Sequence, residues 1–136
     1  PVAATRIVRG DESRRYLRAL DRAPQCAGAW YGLALVQRSL GDTVAALRAL
    51  DRALSARADG SLDGDELPGA AWNARARTLL RAGRVAAADA DFRRAVLCDR
   101  ANPIYAGNAR ALALAVRAHA EELDRAAAAA PGGKVS

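Results

Sequence analysis

Asn73, Arg77 and Arg81 recur at intervals of four residues. On an α-helix that spacing puts all three on one face. Arginine forks grip carboxylates through paired, charge-assisted hydrogen bonds, and an asparagine amide can hold a peptide backbone. A solvated or mixed apolar face is the other reading of the same stripe, and the spacing alone does not choose between them. The remaining reactive residue types lack the company that chemistry needs. His119 is the only histidine; Glu121, Glu122 and Asp124 follow it on different helix faces, and no phosphate loop, metal-ligand spacing or nucleophile motif is present. Cys26 and Cys98 stand outside any Cys-x-x-Cys or Cys/His pair, so neither a metal site nor a disulfide is expected. Both read as small buried apolar side chains near helix ends. Asp59-x-Ser61-x-Asp63-Gly64 begins like a calcium loop, but the bidentate acid that should close it falls at Ala70, which cannot ligate. The expectation is a non-catalytic chain with no metal and no cofactor.

The elements that would carry the stripe are helices. In 136 residues, aromatics are 4% and methionine is absent, so a core of Leu, Val and Ala is implied. Alanine and arginine favour helix, and β-branched runs are missing. Residues 1–10 read as irregular, with Thr5-Arg6-Ile7-Val8 open to a short strand or a helix end. Gly10-Asp11 then suggests a break and a capped helix up to Pro24. Further helices are expected over 27–39, 43–57, 70–82, 85–98 and 103–130. Gly41 and Gly83 make the turns, an acidic Gly/Pro loop fills 58–69, and Pro131-Gly132-Gly133 begins a flexible tail over 131–136.

Two of these helix pairs share one pattern. Trp30, Ala34, Gly41, Ala46, Leu50 and Ala53 have the same offsets as Trp72, Ala76, Gly83, Ala88, Phe92 and Ala95. Small residues at fixed places let two helices cross closely, which suits a stack of hairpins. The pattern resembles the tetratricopeptide repeat, a helix–turn–helix unit of about 34 residues. The match departs at Gln37, where a tyrosine is usual, and at Arg75, where a leucine is usual. Residues 11–23, with Tyr16, Ala19 and Pro24, look like the second helix of an earlier unit. The Leu112/Ala113/Val116 spacing fits the first helix of a third. The implied fold is all-α: a short α-solenoid of stacked hairpins over 11–130, with units near 27–58 and 69–102 and a long C-terminal capping helix, 103–130.

The resemblance also implies a groove lined by the first helix of each unit and able to receive a peptide or helix of a partner protein. Register puts Tyr31, Leu35 and Arg38 there from the first unit, Asn73, Arg77 and Arg81 from the second, and Arg110, Leu114 and Arg117 from the last helix. An Arg-lined groove favours an acidic peptide, and relatives that grip acidic chaperone tails use asparagine and basic residues in a similar layout. The acidic loop 59–66 could instead fold over the stripe and shield it.

Three rival classes have specific features behind them. A formal charge of +6 suits nucleic acid, yet acids interleave with the arginines at Asp51/Arg52 and Asp89/Asp91/Arg93/Arg94, as on solvated helix faces, and no stacking-aromatic cluster occurs. An enzyme finds no motif in the chain, and docking onto a catalytic partner is what remains of that class. Half-units at both ends suggest self-association through exposed terminal helices. No stretch reaches membrane-spanning length and no signal layout opens the chain, so a cytoplasmic protein is expected.

Overall fold

The computed structural model describes residues 2–58 and 67–130. Within them lie six helices and no strand: α1 (Val2–Arg22), α2 (Ala27–Ser39), α3 (Thr43–Ala58), α4 (Leu67–Arg81), α5 (Val85–Cys98) and α6 (Pro103–Ala129). The acidic segment 59–66, its calcium-loop fragment and the tail 131–136 lie outside the described residues. Helices α2 and α3 form one hairpin and α4 and α5 a second, each helix packing on its neighbours in chain order, while α2 also touches α4. The all-α stack implied by the repeated pattern is the observed architecture.

Both hairpin turns close in the same way. Gly41 and Gly83 adopt φ of 85° and 78°, values that favour glycine because a Cβ would crowd the backbone. The amide of Asp42 donates to the Gln37 carbonyl and that of Gly41 to Arg38, as Arg84 donates to Leu79 and Gly83 to Leu80. This is the paired closure that satisfies the last carbonyls of a helix. Asp42 then accepts from the Ala45 amide at 3.1 Å, capping α3. Asn102 accepts from the Ile104 amide at 3.0 Å ahead of Pro103 and so starts α6.

Small residues set the distance between helices. Ala34, Ala46, Ala53, Ala76, Ala88 and Ala95 are all buried, with Leu50 and Phe92 between them. The core is a row of three clusters. Leu20, Ala29 and Leu33 join α1 to α2. Ala34, Ala49, Leu50 and Ala74 join the first hairpin to α4. Ala76, Leu79, Ala88, Phe92 and Leu112 join the second hairpin to α6. Two tyrosines key neighbouring units together through glycines: a Cβ on Gly32 would overlap the Tyr16 ring, and one on Gly69 would meet Tyr105 Cε2 at 2.7 Å.

Two boundaries and the burial of both cysteines differ from the sequence-based expectation. Helix α1 runs without a break through Gly10, so residues 2–10 are helical rather than irregular. Glycine inside a helix costs about 1 kcal/mol relative to alanine, too little to stop a helix that carries arginines on both sides of it. Asp11 accordingly pairs with Arg14 at 3.2 Å, one turn on, instead of capping. Helix α4 begins at Leu67 rather than near Ala70, because Pro68 in a first turn lacks only an N–H that the turn does not need. Cys98 is exposed and Cys26 only partly covered, so neither is the buried apolar side chain expected. Beyond Leu112 every residue of α6 is exposed, His119 included.

Candidate functional site

The last turn of α2 and the face of α4 beside it enclose a cleft of about 420 Å³ lined by Arg38, Ser39, Arg77, Leu80 and Arg81. Three guanidinium-bearing residues thus meet across a helix pair. Arg81 Nη1 donates to the backbone carbonyl of Arg38 at 3.3 Å, placing a cation at the negative end of the α2 dipole. Arg38 Nη1 is buried and makes no hydrogen bond among the described residues. The Arg38 guanidinium is held below the usual arginine range, first by burial and then by the charge of Arg77; Tyr31 opposes the shift and Arg81 adds to it. The ion pairs of the described residues use Arg14, Arg75, Arg93 and Arg94, and none of them neutralises this cluster.

Tyr31 lies on the same face, packed with Leu35 against the Ala34–Leu50–Ala74 cluster. Burial raises the Tyr31 hydroxyl above its ordinary range, with Arg38 and Arg77 pulling the other way. The phenol therefore stays protonated through neutral pH and can donate. Asn73 is tied down: its Oδ1 accepts from Asn108 Nδ2 on α6 at 2.9 Å. That bond orients the amide and makes it less free to hold a peptide than its spacing suggests.

Helix α6 sits in a different register from the one assigned by resemblance. Leu112 is buried 34 residues after the fully buried Thr78. Asn108 meets Asn73 34 residues after Ala74, which packs in the cluster that Tyr31 covers. The expected register, which put Leu112/Ala113/Val116 in the places of Leu33/Ala34/Gln37, is three residues out of step. On the 34-residue step, the places of Tyr31 and Asn73, of Leu35 and Arg77, and of Arg38 and Leu80 pass to Gly107, Ala111 and Leu114. Leu114 stays on the face. Arg110 takes the place of Ala34 and Ala76, where a following helix would pack, and Arg117 falls one residue short of a turn beyond Leu114. Both are exposed.

The charges at Asp51, Asp91 and Arg94, read from the sequence as solvated, are not all so. Asp91 is fully buried on α5 and accepts from Arg75 Nε at 2.7 Å and from Arg94 Nη1 at 2.6 Å. Arg75 also reaches Asp51 on α3 at 2.8 Å, bridging the two hairpins. Burial opposes the Arg75 charge, and the hydrogen bond and charge of Asp91, helped by Asp51, outweigh it and hold that group above its usual range. Arg75 and Arg94 also lie over the Trp72 ring at 5.1 and 4.9 Å, as Arg52 lies over Trp30 at 5.9 Å. The sequence held one signal for this: each tryptophan is followed 22 residues later by an arginine, Arg52 and Arg94.

The described residues contain no group of His, Cys, Asp and Glu placed to hold a metal ion. No helix among them is long and apolar enough to cross a membrane. Residues 27–59 match the family model described as tetratricopeptide repeat. No curated protein matches the chain.

Proposed function

Because the chain carries a tetratricopeptide repeat, a unit that generally mediates protein–protein interactions and is typically non-catalytic, we propose that it is a non-catalytic binding scaffold. Its α2–α4 face receives an acidic segment of a partner protein. The observation that supports this is the gathering of Arg38, Arg77 and Arg81 on one cleft without a neutralising acid among the described residues. Like charges held together in a partly desolvated cleft repel one another, and an anionic ligand relieves that repulsion. Tyr31 and Leu35, half-buried on α2 against the neighbouring core cluster, give apolar surface earlier on the same helix, on which a peptide's side chains bury area while the arginines fix its register.

Affinity capture from the native cell, at low and high salt, compares the wild type with Arg77→Glu/Arg81→Glu. Both residues are exposed, so the double variant keeps its helicity. The expected result is loss of the partner from the double variant and weaker capture of the wild type at high salt. Equal capture by both proteins moves the binding face elsewhere.

A second reading, self-association, draws on α6, where Val116 and Leu123 continue the line of Leu112 and are 46% and 56% exposed. Sedimentation at rising concentration tests it: a constant monomer mass removes it.

A further inference from the structure

We infer that the Arg38–Arg77–Arg81 cleft takes a phosphoryl group carried on a side chain of the partner segment. The inference rests on reading the α2–α4 face as the binding face, and it names the anchor within it.

Charge balance is the first argument. Three arginines bring three permanent positive charges to one cleft. A single carboxylate cancels one of them, whereas a phosphomonoester carries about −1.5 to −2 at neutral pH. Donor count is the second. A carboxylate offers two acceptor oxygens in one plane, whereas a phosphoryl group turns three outward in a pyramid and so has an oxygen for each of three guanidiniums arriving from two helices. Arg38 approaches from α2, and Arg77 and Arg81 from α4.

Preorganisation is the third. Arg81 is already fixed on the Arg38 carbonyl, so less side-chain freedom is lost on binding. The buried Nη1 of Arg38 is a donor without an acceptor among the described residues, and a phosphoryl oxygen supplies one. Leu80, on the cleft wall and 39% exposed, gives the carbon atoms of a phosphorylated side chain an apolar surface to lie against. The shift on Arg38 agrees with this geometry: burial and the neighbouring cations disfavour its charge in the free protein, and a dianion reverses that balance.

The test titrates the full chain, isotope-labelled, with N-acetyl-phosphoserine amide and with N-acetyl-glutamate amide at equal ionic strength, following the arginine Nε–H signals by NMR. The expected result is half-saturation by the phosphoserine derivative at a concentration about tenfold lower, a factor equal to about 1.4 kcal/mol. The shifts are confined to Arg38, Arg77 and Arg81. The advantage shrinks between about pH 7.5 and about pH 5, as the second phosphate proton returns. Arg38→Gln and Arg77→Gln each remove the response and Arg110→Gln leaves it intact; Arg77 is exposed, so its variant keeps the test valid if Arg38→Gln unfolds.

Equal saturation by the glutamate derivative at this cleft overturns the phosphoryl anchor and leaves the acidic-segment reading standing. Silence of both derivatives at the cleft overturns both. Inorganic phosphate binding as tightly as the phosphoserine derivative also overturns the anchor, since the cleft would then take a free anion with no contribution from a peptide. Tighter binding of a single-stranded oligonucleotide does the same, by assigning the cleft to a nucleic-acid backbone.

Discussion

Asp91 carries a carboxylate to a fully buried place on α5, and it stays there because Arg75 and Arg94 close on it from two directions. The first hairpin solves the same packing problem with Leu33 and Ala49, which occupy the places of Arg75 and Asp91 and are both buried. Removing one partner of a buried pair costs about 3–5 kcal/mol. Arg75 keeps one quarter of its side chain exposed, so Arg75→Ala is expected at the lower end, about 3 kcal/mol, measured by urea denaturation. The double change Arg75→Leu/Asp91→Ala, which copies the first hairpin, should return stability to within about 1 kcal/mol of wild type. A double variant as unstable as the single one would show that the ions do more than replace an apolar contact. The sequence marked Arg75 as a departure from the family pattern but gave no sign that its partner was buried. Acids spaced among arginines look alike whether a neighbouring helix covers one of them or not. The tryptophans were readable, and their half-burial was not: Trp30 is held by a 2.9 Å hydrogen bond from its indole N–H to the Pro24 carbonyl, and Trp72 by two guanidiniums. Trp72→Ala should cost about 3 kcal/mol, and an unchanged urea midpoint would mean that the ring and its arginines contribute nothing.

Helix pairs were the most legible elements, because their limits are set by local chemistry. Gly41 and Gly83 announced the turns, and their positive φ values bear this out. Placing a side chain in that conformation costs about 1–2 kcal/mol, so Gly41→Ala and Gly83→Ala should each lower stability by roughly that amount with helicity unchanged. A neutral effect would show that the turn relaxes to another closure. Where limits depended on tertiary packing, the sequence misled. Gly10 looked like a break but lies within α1, and the α6 register was misplaced by three residues because Leu112/Ala113/Val116 imitates the spacing of a first helix. What fixes α6 is contact with the preceding hairpin through Tyr105, Asn108 and Leu112, and only Leu112 among these carries an apolar signal that spacing alone can read. Tyr105→Ala tests this docking. It empties the pocket that Gly69 leaves open, and hydrogen exchange should quicken in α6 while α2 and α3 keep their protection; uniform quickening would mean the hairpins unfold as one unit.

At the scale of the whole molecule, three clusters in a row make a stack whose neighbours touch in order, and such a stack brings the first helices of its units side by side. That alignment turns Arg38 in one hairpin and Arg77 and Arg81 in the next, residues about forty apart in the chain, into one electrostatic site. The i, i+4 stripe made half of this legible. The other half, Arg38, came only from a register carried over by resemblance, and the same procedure applied to α6 put Arg110 and Arg117 off the face. The net charge of the chain was a poorer guide than its distribution: the ion pairs of the described residues use Arg14, Arg75, Arg93 and Arg94, whereas Arg38, Arg77 and Arg81 gather on one cleft between α2 and α4 with no acid among its lining residues. The most direct measurement of that claim is a titration of the labelled chain with hexaglutamate and, separately, hexalysine, mapped by backbone amide shifts. The account predicts that hexaglutamate alone perturbs α2 and α4 around Arg38, Arg77 and Arg81, that salt weakens the effect, and that Arg77→Glu/Arg81→Glu abolishes it. Shifts centred on α3 and α5, or an undiminished response in the double variant, would contradict it.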